Sequence, residues 1–323
     1  MNRIPALLCS ILLAASAGWR ATAQEADPPA DAVEDIVVTA RRIEGPMWEI
    51  RRGDATLILV GSIDGLSRDM DWRTEALTTA VERADRVLFP VQGRASLADL
   101  GRVIWRARTL TRLPEGRTTA DYLPPELEAR LERVTGEGPS RTSLLLLSAE
   151  LMERGGYARR ERPVSDVVRR AARTNRKPAE PVGTLRGDEI IDRVLTTPPE
   201  RYLDCMARAV TAAELGEAEG ERRAEAWRRR RVAEVLASPL DQAVSACSYW
   251  VVMGQGPALE ALWGQAVDQA LAEGGTTVAI APLRLLAQPG GLLDRLEAQG
   301  LEPLGPDWRP QPPAEAPGGP PIS

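Results

Sequence analysis

The chain has 323 residues, 43% of them apolar, and a net charge of −5, which is enough to bury a sizeable core in one large domain or two small ones. It contains no histidine, and this excludes Ser-His-Asp and Cys-His catalysis, an HExxH helix and a histidine general base. Its three cysteines cannot build a structural zinc site, and its single lysine, Lys177, precedes a proline rather than standing in a G-K-[ST] turn, so there is no P-loop and any metal must sit among oxygens.

The chain opens on Met1-Asn2-Arg3, an apolar run over 4–18, and Ala21-Thr22-Ala23. That order of charged, apolar and small residues predicts a signal peptide over 1–23, cleaved near Ala23, and a periplasmic or secreted protein. The run is shorter than the roughly 20 residues a membrane span needs, and no later stretch could span either. Cys9 would leave with the leader, so Cys205 and Cys247 remain as an even pair. In an oxidising compartment they read as a disulfide pinning two helices of the middle region, the alternative being two buried thiols. Loss of Arg3 and Arg20 makes the remainder still more acidic, which argues against a nucleic-acid partner.

Residues 24–45 read as an acidic, flexible linker. Within it, 34–42 resembles the TonB box of outer-membrane transporters, and Ile36, Val37, Val38 and Thr39 could add a strand to the sheet edge of a periplasmic partner. The alternatives are pairing with the chain's own sheet or a plain linker. The globular part spans 46–304, and the Pro- and Gly-rich tail over 305–323 reads as disordered.

Inside the domain, 47–50 and 56–61 predict a hairpin turning at Arg52-Gly53-Asp54, followed by a helix over 72–84 and a buried strand over 86–91. From 97 to 271 the periodicity is helical, punctuated by Pro and Gly pairs. The end reads as a strand over 276–281, a helix over 291–299 and a short strand over 301–304. The expected fold is α/β, a mixed sheet built from N- and C-terminal strands and covered by a long helical middle region. Trp48, Trp105, Trp227, Trp250 and Trp263 occupy strand or periodic positions and are expected in the core.

The carboxylates Asp64, Asp69 and Asp71 gather just past a strand end, where Mg, Mn or Ca could be held. The commoner reading has Asp69 or Asp71 capping the helix that starts at Trp72, with Asp64 facing solvent. The arginine-rich stretch over 219–236 is interleaved with acids and reads as a solvated helix face, not an anion site.

Three stretches in order resemble the TraB/GumN family. They are Pro46-Met47-Trp48-Glu49-Ile50 with Gly61-Ser62-Ile63-Asp64, the helical stretch over 157–178, and Val278-Ala279-Ile280-Ala281-Pro282-Leu283-Arg284 with Gly290-Gly291-Leu292-Leu293. That family includes the Tiki metal-dependent peptidases and proteins implicated in shutting off peptide pheromones. The resemblance implies a metal site made from two G-x-x-H motifs and nearby acids. In this chain the positions matching the histidines carry Asp64 and Arg284, and the one matching the acid carries Pro90. An arginine cannot coordinate and brings a permanent positive charge to where a cation would bind, and proline offers no ligand. The site is therefore expected to be lost, with Asp64 and Arg284 paired in its place, no cofactor, and a role in binding or interaction in the cell envelope. The alternative is a metal-dependent hydrolase with Mn, Ca or Mg on oxygen ligands around Asp64.

Overall fold

A computed structural model describes residues 44–160 and 163–310. The expected leader, the segment with Ile36, Val37, Val38 and Thr39, and residues 311–323 lie outside the described residues.

Strands β1 (Met47–Arg52) and β2 (Ala55–Ser62) form the expected antiparallel hairpin, with Met47 opposite Val60 and Arg52 opposite Ala55. The two-residue turn places Gly53 at φ +59, a left-handed conformation that glycine alone takes without a Cβ penalty. Alternation turns Trp48 and Ile50 inward, both wholly buried. The helix that follows is shorter than its periodicity implied, Glu75–Arg83, with Thr74 at its N-cap. Neither Asp69 nor Asp71 caps it, because the chain stays irregular until Thr74 and carries Trp72 into the core, edge-on to Trp227 at 5.3 Å.

Strand β3 (Arg86–Phe89) stops at Pro90, which has no N–H to continue a ladder. Two further strands, β4 (Gln92–Arg94) and β6 (Thr184–Arg186), pair in parallel as a separate ribbon. Strand β5 (Ala179–Pro181) joins the main sheet, and β7 (Gly275–Pro282) completes it in the order β1-β2-β7-β3-β5. Strands β2, β7, β3 and β5 run parallel to one another. The central strand β7 buries Val278, Ala279, Ile280 and Ala281 in succession, the continuous apolar run expected of a strand covered on both faces. The middle region is thus not purely helical. The signal of β5 was weak because it is three residues long and contains Pro181, which a sheet tolerates at an edge.

The expected strand over 301–304 reduces to one bridge, in which Glu49 and Leu304 exchange two backbone hydrogen bonds of 2.9 Å. Pro303 removes the donor that a longer ladder would need. Packing nevertheless continues beyond Leu304. Trp48 Nε1 donates to the Pro306 carbonyl at 2.9 Å, and the buried Trp308 donates from Nε1 to Asp294 at 3.0 Å. Ordered packing therefore extends past residue 304 to Trp308.

A second apolar cluster, containing Leu127, Leu131, Leu151, Met206 and Val210, holds the helical region together. Cys205 and Cys247 form a disulfide within it, with Cα atoms 4.6 Å apart, and join the Leu203–Leu215 helix to the end of the Pro239–Ala246 helix. The Glu217–Arg228 helix is seated by a close backbone approach: a Cβ at Gly220 would lie 2.2 Å from the Gly156 carbonyl oxygen. Among the tryptophans expected inside, Trp48, Trp227 and Trp263 are fully buried, and Trp250 is half-buried. Trp105 is not a core residue. It stands 86% exposed, on a helix in which Asp99 is the one buried side chain.

Candidate functional site

The parallel strands β2, β3 and β7 all finish at one edge of the sheet, and the chain leaving each of them borders a cavity of about 540 Å³. Ser62, Ile63 and Asp64 come from the end of β2, Pro90 and Val91 from β3, and Pro282, Leu283 and Arg284 from β7. A crevice beyond the carboxyl ends of parallel strands is where open α/β sheets bind ligands, since the backbone there is free to diverge. Apolar and aromatic walls are supplied by Tyr157, Trp250, Leu259 and Trp263, the last with its indole Nε1 buried and without a hydrogen-bond partner.

At the base lies a buried ionic cluster. Asp241, at the start of the Pro239–Ala246 helix, accepts four hydrogen bonds from two guanidinium groups. Its Oδ1 takes Arg223 Nε and Nη2 at 3.1 and 2.8 Å, and its Oδ2 takes Arg284 Nε and Nη2 at 3.0 and 2.6 Å. Arg223 Nη1 donates to the Asp64 carbonyl at 2.7 Å, and Arg284 Nη2 to the Leu236 carbonyl at 2.7 Å. Alongside, Ser238 Oγ donates to the buried Glu219 at 2.5 Å and accepts from the Asp241 amide at 3.3 Å. Trp227 Nε1 donates to the Gly61 carbonyl at 2.9 Å, so the Glu217–Arg228 helix grips the end of β2 at two points. Burying a charge is tolerable only when it is paired and fully hydrogen-bonded, and one carboxylate shared by two forks meets that demand.

Three sequence-derived positions, Asp64, Pro90 and Arg284, thus come together on one cavity. Asp69 and Asp71 do not. They sit exposed on the loop before the Glu75–Arg83 helix, away from the cavity lining. Among the described residues no group of three acids or cysteines is placed to hold a metal. The carboxylate that takes Arg284 is Asp241 and not the expected Asp64, because the start of the Pro239–Ala246 helix lies directly against the turn after β7. The stretch over 219–236 is likewise not a solvated face throughout: Glu219, Arg223, Ala226 and Trp227 are buried, while Glu225 keeps its surface pairs with Arg228 and Arg229.

Residues 46–303 match the model of the TraB/PrgY/gumN family. The chain belongs to that family. Comparison with curated proteins and with solved structures gives no match. For a member of the TraB/PrgY/gumN family, the residues at the implied metal position do not fit a metal. Asp64 offers one carboxylate, Pro90 offers nothing, and the guanidinium of Arg284 is a cation with no lone pair to donate.

Two residues of the ionic cluster beside the cavity were missed from the sequence. Asp241 carried a readable signal as the acid of Ser238-Pro239-Leu240-Asp241, the pattern of a helix start, and Ser238 does cap that helix. Arg223 was hidden among arginines. Only the four-residue spacing of Glu219, Arg223 and Trp227, which puts all three on one helical face, sets it apart.

Proposed function

We propose that this TraB/PrgY/gumN member is an exported, catalytically degenerate binding module that takes a ligand in the cavity at the strand ends without a metal. The observation that carries this reading is Arg284, whose guanidinium is locked on Asp241 at 2.6 Å in the cavity where the family resemblance implies a cation. A permanent positive charge there repels a divalent ion and cannot activate water as a metal does. Aromatic and aliphatic walls around a few fixed polar groups suit recognition of a largely apolar molecule, and the family's peptidase relatives make short peptides the first class to try. The leader-like N-terminus and the paired cysteines support an envelope or extracellular location. No helix among the described residues is long and apolar enough to cross a membrane.

The test is a panel of short apolar peptides, read by the rise in thermal midpoint and by mass spectrometry of the recovered peptide. Stabilisation by a peptide that comes back intact, abolished when Val244→Trp fills the cavity, is the expected result. Cleavage that stops in Asp64→Ala would overturn it in favour of a hydrolase using Mn, Ca or Mg on oxygen ligands.

A further inference from the structure

The Leu97–Trp105 helix buries one side chain and leaves most of its apolar residues in water. Its start is closed by a capping box between Ser96 and Asp99, and Asp99 is the side chain it buries. Leu97, Leu100 and Ile104, three and four residues apart on one face, are 89%, 57% and 68% exposed, and Trp105 beside them is 86% exposed. A contiguous face of large apolar side chains held in water signals a covering surface.

The surrounding charge says which kind. Arg94, Arg102, Arg106, Arg108 and Arg112 are all exposed, and the only acid in that run is the buried Asp99, although the whole chain carries −5. The neighbouring Gly187–Thr196 helix contributes Asp188, Glu189 and Asp192. The first two are paired with Arg186, and Asp192 lies 3.9 Å from Arg102, with Arg193 on the same helix. Directly after the amphipathic helix, a cavity of about 650 Å³ is bordered by Arg108, Arg112 and Arg141, by the hydroxyl-bearing Thr109 and Thr196, and by one acid, Glu115. A two-fold contact centred on this patch would crowd two sets of arginines into one interface with few acids to offset them. An anionic bilayer answers both features, with its acyl boundary covering the apolar face and its phosphates meeting the arginines.

We propose that the Leu97–Trp105 helix seats the protein on an anionic lipid surface, with Arg108, Arg112 and Arg141 receiving a lipid phosphate. The purified chain from residue 24 onward, the form expected after export, is sedimented with vesicles of phosphatidylglycerol and phosphatidylcholine, and with phosphatidylcholine alone. Leaving out the apolar run over 4–18 keeps it from binding vesicles in place of this helix. Binding to the anionic vesicles should weaken at least about tenfold in Leu100→Asp/Ile104→Asp and in Arg108→Glu/Arg112→Glu, with unchanged thermal midpoints, and should fall with added salt. The emission assigned to Trp105, taken as the difference from Trp105→Phe, should shift to the blue with anionic vesicles and be quenched by brominated lipid. Equal vesicle binding by the apolar-face variant, or a Trp105 signal unmoved by anionic vesicles, would overturn the proposal. So would concentration-dependent dimerisation that the same variant abolishes.

Discussion

Asp241→Asn is the most informative single substitution, because one carboxylate is shared by two guanidinium groups. Arg223 and Asp241 are 3% and 7% exposed, and Arg284 is 26% exposed, so the first pair is screened very little by solvent and the second only partly. The asparagine keeps the shape but removes the charge and turns an NH2 group toward a guanidinium. Breaking a buried pair by removing one partner typically costs about 3–5 kcal/mol, since the remaining charge is left uncompensated. The upper part of that range is expected because two arginines lose their partner together. Urea unfolding, followed by far-ultraviolet circular dichroism and by tryptophan emission with coincident transitions, measures the loss. The triple variant Asp241→Leu/Arg223→Met/Arg284→Met should recover most of it, since a buried ionic cluster replaced by apolar groups of similar volume is often neutral or stabilising. A cost below about 1 kcal/mol for Asp241→Asn would refute the assignment of a buried, tightly coupled cluster at the base of the cavity.

Removing the disulfide through Cys205→Ala/Cys247→Ala should cost about 4 kcal/mol on the chain-entropy account, and reduction of the wild type should reproduce the same urea midpoint. Gly220→Val should destabilise by about 1–3 kcal/mol, because its Cβ would lie 2.2 Å from a backbone oxygen of Gly156; an unchanged midpoint would show that the two segments separate easily. Burial pushes the Asp294 carboxyl up, but hydrogen bonds from Trp308, the Gly290 amide and Arg309 outweigh it and hold its pKa below the ordinary 3.8. With the folded value below the unfolded one, the stabilisation is complete above about pH 4 and is lost as pH falls through the depressed value. The emission of Trp308, taken against Trp308→Phe, should therefore stay constant down to about pH 4 and change only below it. A transition near neutral pH would contradict the assignment.

The sheet was legible where a single physical signal dominated. Alternation at Trp48 and Ile50, the Gly53 turn and the unbroken apolar run of β7 each specify a strand directly, and parallel strands at the two ends of the chain must meet. The short strands β4, β5 and β6 were not legible, because three residues fix no period and their pairing is decided by tertiary contacts. Trp105 misled because helical spacing reports an apolar face without saying whether that face turns inward. The site divides in the same way. Asp64, Pro90 and Arg284 were singled out because they follow strands and carry a family resemblance, and the fold brings all three to one cavity. Asp241 and Arg223 come from helices distant in sequence, and only folding brings them against the turn after β7.

The central claim, a cavity that works without a metal, is tested most directly by the thermal midpoint of the purified chain with and without millimolar Mn, Ca and Mg. An ion that binds the native state must raise the midpoint, so the account predicts the same value in every condition, for the wild type and for Asp64→Ala alike. A rise of several degrees with one ion, absent in Asp64→Ala, would contradict it and place a metal beside Arg284.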